Sequence, residues 1–218
     1  MATKNQNTAT SSSSKTNSSE GATNNSSNGS SNSKSSGKGN MTEQKEGQGA
    51  SLLTLLQKGL KETYNAEKQL LKALPEMAEA CDDEELQAAF LDHADQTKKQ
   101  VERLEKVFSR LRIDRAEERC IAMEALIEEG RKAIKETEEG PVRDAALIIS
   151  AQKVEHHEIA AYGSLVELAE VLGYHKIADI LDRTLEEEEL TDSLLTEIAK
   201  DINEDAREMS EELMESYA

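Results

Sequence analysis

Tryptophan is absent from this chain, and phenylalanine and tyrosine together supply only six residues. Proline occurs twice, at positions 75 and 141, so little in the sequence interrupts a helix. The two cysteines, Cys81 and Cys120, are too few for a disulfide framework or a cysteine zinc site. No stretch approaches the roughly 18 apolar residues of a membrane span. Nucleophile elbows, phosphate loops, dinucleotide fingerprints and zinc-finger spacings are all missing. Positive charge is also in short supply: 26 Lys and Arg stand against 44 Asp and Glu, a net charge of −18. A body that acidic repels nucleic acid and anionic membrane and attracts cations.

What is present divides into two kinds of sequence. Residues 1–48 hold 13 Ser and 8 Asn with almost no large apolar side chain. Such a segment buries too little surface to offset its ordering entropy and is expected to be a disordered tail. Its five lysines against three glutamates give it +2, leaving −20 on the remainder. Residues 49–218 are rich in helix formers and are expected to form one all-α domain.

Apolar periodicity predicts four long helices. The first runs from about 51 to 79 and aligns Leu53, Leu56, Leu60, Tyr64, Glu67, Leu71 and Leu74, with a kink expected at Pro75. Asp82 and Glu85 are expected to cap the second, 83–110, whose stripe includes Leu86, Phe90, His93, Thr97, Gln100, Leu104 and Val107. A crossover over 112–141 carries a helix with Met123, Leu126, Ile127 and Ile134 inward, ended by Gly140-Pro141. The third long helix, 142–172, turns in Ile148, Ala151, Glu155, Glu158, Ile159, Tyr162 and Val166 and stops at Gly173. The fourth begins near His175 and presents Ile177, Leu181, Thr184, Glu188, Thr191, Leu195 and Ile198; an acidic stretch, 203–217, docks or frays. Two hairpins joined by one long connection give a ferritin-like four-helix bundle with a helical crossover between helices two and three.

Four glutamates and one histidine thus fall on inner stripes: Glu67, His93, Glu155, Glu158 and Glu188. Glu67 lies 14 residues before Cys81 in the first turn and His93 lies 12 after it; Glu158 lies 16 before Tyr174 and Glu188 lies 14 after it. At about 1.5 Å per residue these heights agree within about one helical turn. Burying a carboxylate costs several kcal/mol unless something compensates it. Divalent iron and manganese favour carboxylate oxygen with some imidazole, and four carboxylates balance two such ions. Asp192, one turn beyond Glu188, is a reserve ligand, while Thr97, Gln100, His156 and Glu187 are candidates for the surrounding hydrogen bonds. The Glu-x-x-His motif usual in di-iron bundles is missing; helix three carries Glu155-x-x-Glu158 instead. The competing reading is that long glutamate side chains at helix edges reach water. Tyr64, Phe90 and Tyr162 read as core packing, although the two tyrosine hydroxyls can still bond a carboxylate. Cys120 reads as a small buried hydrophobe, Cys81 as an exposed helix-end thiol, Glu186 and Glu189 as a solvated face with Glu187 open between that face and the inner hydrogen bonds, and His157 and His175 as surface residues.

Several blocks occur in order: Tyr64-x-Ala66-Glu67-Lys68-Gln69-Leu70-Leu71-Lys72-Ala73-Leu74-Pro75; Phe90-x-x-His93-x-x-x-Thr97; Arg103-Leu104-Glu105. Cys120-x-x-Met123-x-x-Leu126-Ile127-x-Glu129-Gly130, Val154-Glu155-His156-x-Glu158-Ile159-Ala160-x-Tyr162-Gly163 and Glu187-Glu188-x-x-Thr191-Asp192 follow. Over residues 51–200 the chain resembles the YciE/YciF family of ferritin-like stress proteins. The resemblance implies a rubrerythrin-like dimetal bundle of bacterial stress responses, a homodimer, and ferroxidase chemistry.

The expectation is a cytoplasmic protein whose two iron or manganese ions are held by Glu67, His93, Glu155, Glu158 and Glu188 and react with dioxygen or peroxide. Manganese-dependent peroxide disproportionation and a metal-free helical stress protein that binds a partner are the alternatives.

Overall fold

The computed structural model describes residues 51–217, so the expected tail lies outside the described residues. Five helices follow one another: α1 (Leu52–Ala80), α2 (Glu84–Leu111), α3 (Ile121–Glu136), α4 (Pro141–Val171) and α5 (His175–Ser216). The four long ones form a bundle in which α1 neighbours α2 and α4, and α5 neighbours the same two helices. The shorter α3 spans the crossover and packs on α4 and α1. No described helix is long and apolar enough to cross a membrane.

Local chemistry sets most helix ends. Ser51 caps α1, its Oγ accepting from the Thr54 N–H at 3.1 Å. The cap of α2 is Asp83, whose carboxylate accepts from the Leu86 N–H at 2.8 Å, and not Asp82. The N–H groups of Asp82 and Asp83 both donate to the carboxylate of Asp144 on α4, at 3.1 and 2.8 Å. Buried Asp144 thus ties the α1–α2 turn to the first turn of α4, a role the sequence left unread. Helix α3 ends at Glu136, four residues before Gly140; Gly140 and Pro141 instead open α4, as its N-cap and first residue. Gly173 does stop α4: at φ +77° its N–H bonds the Glu170 carbonyl while the Tyr174 N–H reaches Ala169, a Schellman closure. Helix α1 passes through Pro75 and continues to Ala80.

Two faces of α4 are buried where one stripe was expected. Leu147, Ser150, Val154, Leu165 and Ala169 join Ile148, Glu155, Glu158 and Tyr162 inside, while Ala151, Ile159 and Val166 remain partly open. The reason is α3, which covers a second side of α4; with apolar residues around its circumference, the sequence pattern cannot mark a single face. At Gly130 of α3 a side chain would press on Met77 at 3.2 Å, so glycine permits the close crossing over α1. The start of α3 is pinned to α1 by Asn65, which accepts from the Cys120 N–H at 2.9 Å, and by Gln69, which donates to the Cys120 carbonyl. The acidic stretch 203–217 neither folds back nor frays; it extends α5 to Ser216 with almost every side chain exposed.

The apolar core is split. One cluster fills the end of the bundle nearest α3, with Leu70, Leu74, Phe90, Met123, Leu147, Leu195 and Ile198. The other fills the opposite end, with Leu56, Leu60, Leu104, Phe108, Tyr162, Leu165 and Leu181. On α2, α4 and α5 the two apolar sets are separated by buried polar side chains, and on α1 Glu67 sits where they meet.

Candidate metal centre

That polar layer holds Glu67 from α1, His93, Thr97 and Gln100 from α2, Glu155 and Glu158 from α4, and Thr184 and Glu188 from α5. The five acidic and imidazole side chains are 0–3 % exposed, which removes the reading in which glutamates at helix edges reach water. Donor atoms of His93, Glu155, Glu158 and Glu188 all lie within 4.8 Å of one another. His93 Nε2 stands 3.4 Å from Glu155 Oε1 and 3.9 Å from Glu188 Oε2. Glu67 faces the same layer from α1 and raises the pKa of Glu155, Glu158 and Glu188 by charge repulsion.

Burial dominates the electrostatics. It pushes the Glu67 and Glu155 carboxyls up to about 8, and holds Glu158 and Glu188 well above the carboxylate range, with neighbouring carboxylates adding to the shift. The same loss of water lowers His93 to about 4, so its imidazole is neutral at neutral pH. The His93–glutamate contacts are therefore not ion pairs. Without a cation, protons must keep these acids neutral.

Hydrogen bonding is half complete. The Tyr162 hydroxyl donates to Glu67 Oε1, and Gln100 Nε2 donates to Glu188 Oε1 at 2.5 Å. Glu67 Oε2, both His93 nitrogens, Glu155 Oε2, both Glu158 oxygens and Glu188 Oε2 have no hydrogen-bond partner outside the acid cluster, within which protonated Glu155 and Glu188 can share a proton. Buried polar atoms are rarely left so. A set of carboxylate oxygens and one imidazole, converging from four helices, suits a first-row divalent cation.

Around this layer several assignments change. Gln100 does bond an inner carboxylate, but the Thr97 hydroxyl turns to the carbonyl of His93, one turn back along its own helix. Of the two readings of Glu187, the structure shows the hydrogen-bonded one: Arg103 grips it through two guanidinium nitrogens, and Gln100 reaches it at 3.2 Å. Arg103, which the sequence marks only within the Arg103-Leu104-Glu105 block, lies three residues beyond Gln100, where the next turn of α2 continues the polar edge. Asp192 stands outside the cluster, 3.3 Å from the exposed His156 and within reach of Gln152. Tyr64 does not enter the layer and donates to Glu105 at 3.0 Å. His157 is half-buried with its Nε2 3.5 Å from Cys120 Sγ, whereas His175 is exposed. Cys81 is partly buried rather than exposed, and burial pushes its thiol up to about 12.

Comparison with known proteins agrees with the fold. The family described as a domain of unknown function, DUF892, matches residues 51–207. Protein YciF of Escherichia coli strain K12 is 52% identical over 143 residues, which cover 64% of this chain and 85% of that protein. The crystal structure of the E. coli stress protein YciF superposes with a TM-score of 0.69 at 46% identity, over 71% of this chain and 98% of that one. YcfI of Rhodopseudomonas palustris gives 0.66 at 38% identity, over 67% and 94%. A Xanthomonas campestris protein shares the fold at 0.60 and 20% identity, over 74% and 99%. The chain belongs to the DUF892 family and is a relative of the stress protein YciF.

Proposed function

We propose that the polar layer binds two first-row divalent ions, iron or manganese, and that the protein oxidises Fe(II) with peroxide or dioxygen. The observation that carries this reading is the set of unpartnered oxygen and nitrogen atoms on five side chains removed from water. Glu67, His93, Glu155, Glu158 and Glu188 are the assigned ligands; Asp192 stays at the rim with His156. When bound, a ferrous pair supplies the two electrons that convert one peroxide and two protons to two waters, each iron losing one electron.

The protein's contribution is orientation and charge. Tyr162 fixes one oxygen of Glu67 and Gln100 fixes one oxygen of Glu188, which in each case leaves the other oxygen free for a cation. Arg103 anchors Glu187, which in turn anchors Gln100. On binding two divalent ions the four glutamates would release their protons to solvent, so the layer would stay near neutral in both states. The apolar clusters on either side exclude bulk water from it. A homodimer and a cytoplasmic setting complete the reading; the two free thiols suit a reducing compartment, and sedimentation tests the dimer.

Anaerobic loading of the metal-free protein with Fe(II), followed by oxidant, tests the proposal. Two bound irons per chain and prompt near-ultraviolet absorbance with peroxide are expected, with Glu188→Gln losing at least one ion. Oxygen evolution from the manganese-loaded protein would reassign it to peroxide disproportionation. Failure of the wild-type chain to retain any ion would leave a metal-free helical protein.

A further inference from the structure

A cavity of about 350 Å³ opens between α1 and α4 beside the start of α3. Leu55 and Ser164, both exposed, lie at its outer edge. Glu158, 1 % exposed, lies at its inner edge, and neither of its oxygens has a hydrogen-bond partner. The cavity therefore runs from solvent to the side chain of Glu158, whose oxygens lie just behind the lining. Gly59, Ala161 and Leu165 make its wall largely hydrocarbon, Glu62, Thr63 and Ser164 add a few oxygens, and Cys120 and His157 also line it, their Sγ and Nε2 3.5 Å apart.

Size and lining select what can use this route. A water occupies about 30 Å³ of liquid, so a molecule of two heavy atoms fits many times over. The volume admits a hydrated cation too, but the Glu158 oxygens lie behind the lining, so an ion would have to shed its water beside a mostly hydrocarbon wall to reach them, which is unfavourable. An uncharged diatomic or peroxide meets no such barrier. We propose that this cavity is the port through which a small uncharged oxidant, dioxygen or hydrogen peroxide, reaches Glu158 and the polar layer; the inference rests on the dimetal reading above.

The port is tested by closing it. Ala161 stands one turn beyond Glu158 and lines the cavity, so Ala161→Phe fills it; Ser164→Phe at the exposed mouth is a second closure that does not touch the core. Ala160→Phe, on the exposed side of α4, is the control. Two rates are read on each protein. The first is labelling of Cys120 by methyl methanethiosulfonate in the metal-free chain, followed by mass spectrometry. The second is oxidation of anaerobically pre-loaded Fe(II) by peroxide and, separately, by dioxygen.

Both rates should fall by about tenfold or more in the closed variants, equivalent to about 1.4 kcal/mol on the barrier, and stay at wild type in the control. Slowing with one oxidant alone assigns the port to that oxidant. Unchanged oxidation in folded variants that still load two ions, whether or not Cys120 labelling slows, overturns the port and leaves the metal centre standing. Absence of bound ions in the wild-type chain overturns the dimetal reading, and the port with it.

Discussion

The Tyr162 hydroxyl of α4 donates to Glu67 Oε1 of α1 inside the bundle, and the second oxygen of that carboxyl is left with no partner. One oxygen is positioned by the protein and the other is offered. Gln100 and Glu188 repeat the arrangement between α2 and α5. If this pairing orients the acids for a cation, Tyr162→Phe should weaken ion binding by about 10–100-fold while preserving the helical fold. Competition with a calibrated chelator measures it; unchanged affinity would make the hydroxyl a packing feature only.

Arg103 provides a second check on orientation. Arg103→Ala should strand Glu187 and release Gln100, again lowering ion affinity by about tenfold or more. Arg103→Lys keeps the charge but loses the two-nitrogen grip, so an intermediate affinity is expected. Equal affinities in all three proteins would count against the chain of contacts from Arg103 to Glu188.

The metal-free protein should lose stability as pH rises. The unfolded glutamates titrate near 4.5, whereas Glu67 and Glu155 in the fold titrate at about 8 and Glu158 and Glu188 are also raised. Between those values the native state holds more protons than the unfolded chain, so stability is fully present below the unfolded value and falls through this window. His93 acts oppositely: its folded value, lowered from 6.5 to about 4, removes stability as pH drops between the two. Four acids against one histidine give a net fall in Tm from about pH 5 to about pH 9, which bound ions should flatten. A metal-free Tm that climbs across this range contradicts the protonation account.

Asp144 separates fold from site. Its carboxylate serves two backbone N–H groups in the α1–α2 turn, away from the polar layer. Asp144→Ala should cost about 3 kcal/mol in urea unfolding, since two charge-assisted bonds are lost together, with ion stoichiometry unchanged in the folded protein. Asp144→Asn should recover part of the loss.

The bundle and its inner acids were legible because helical spacing fixes which residues share a face. Glu67, His93, Glu155, Glu158 and Glu188 each sit on the inward stripe of a helix, and all five are buried. What escaped depended on contacts between distant helices. Asp144 bonds residues more than sixty positions away, and Arg103 meets Glu187 across α2 and α5, so neither carries a local signature. The buried faces of α4 were obscured for a different reason: α3 covers a side of it that a simple four-helix bundle leaves to solvent. Gly140-Pro141 is ambiguous in sequence because the same pair can end one helix or begin the next; positive φ at Gly140 and a first-turn Pro141 choose the latter.

The measurement closest to the central claim is proton release on ion binding. Calorimetric titration of the metal-free chain with Mn(II), run anaerobically at pH 7 in buffers of different ionisation enthalpy, counts ions and protons together. Two ions bound with release of about four protons is the expected result, because four neutralised acids exchange hydrogen for metal. Binding without proton release, or no binding at all, would contradict the account.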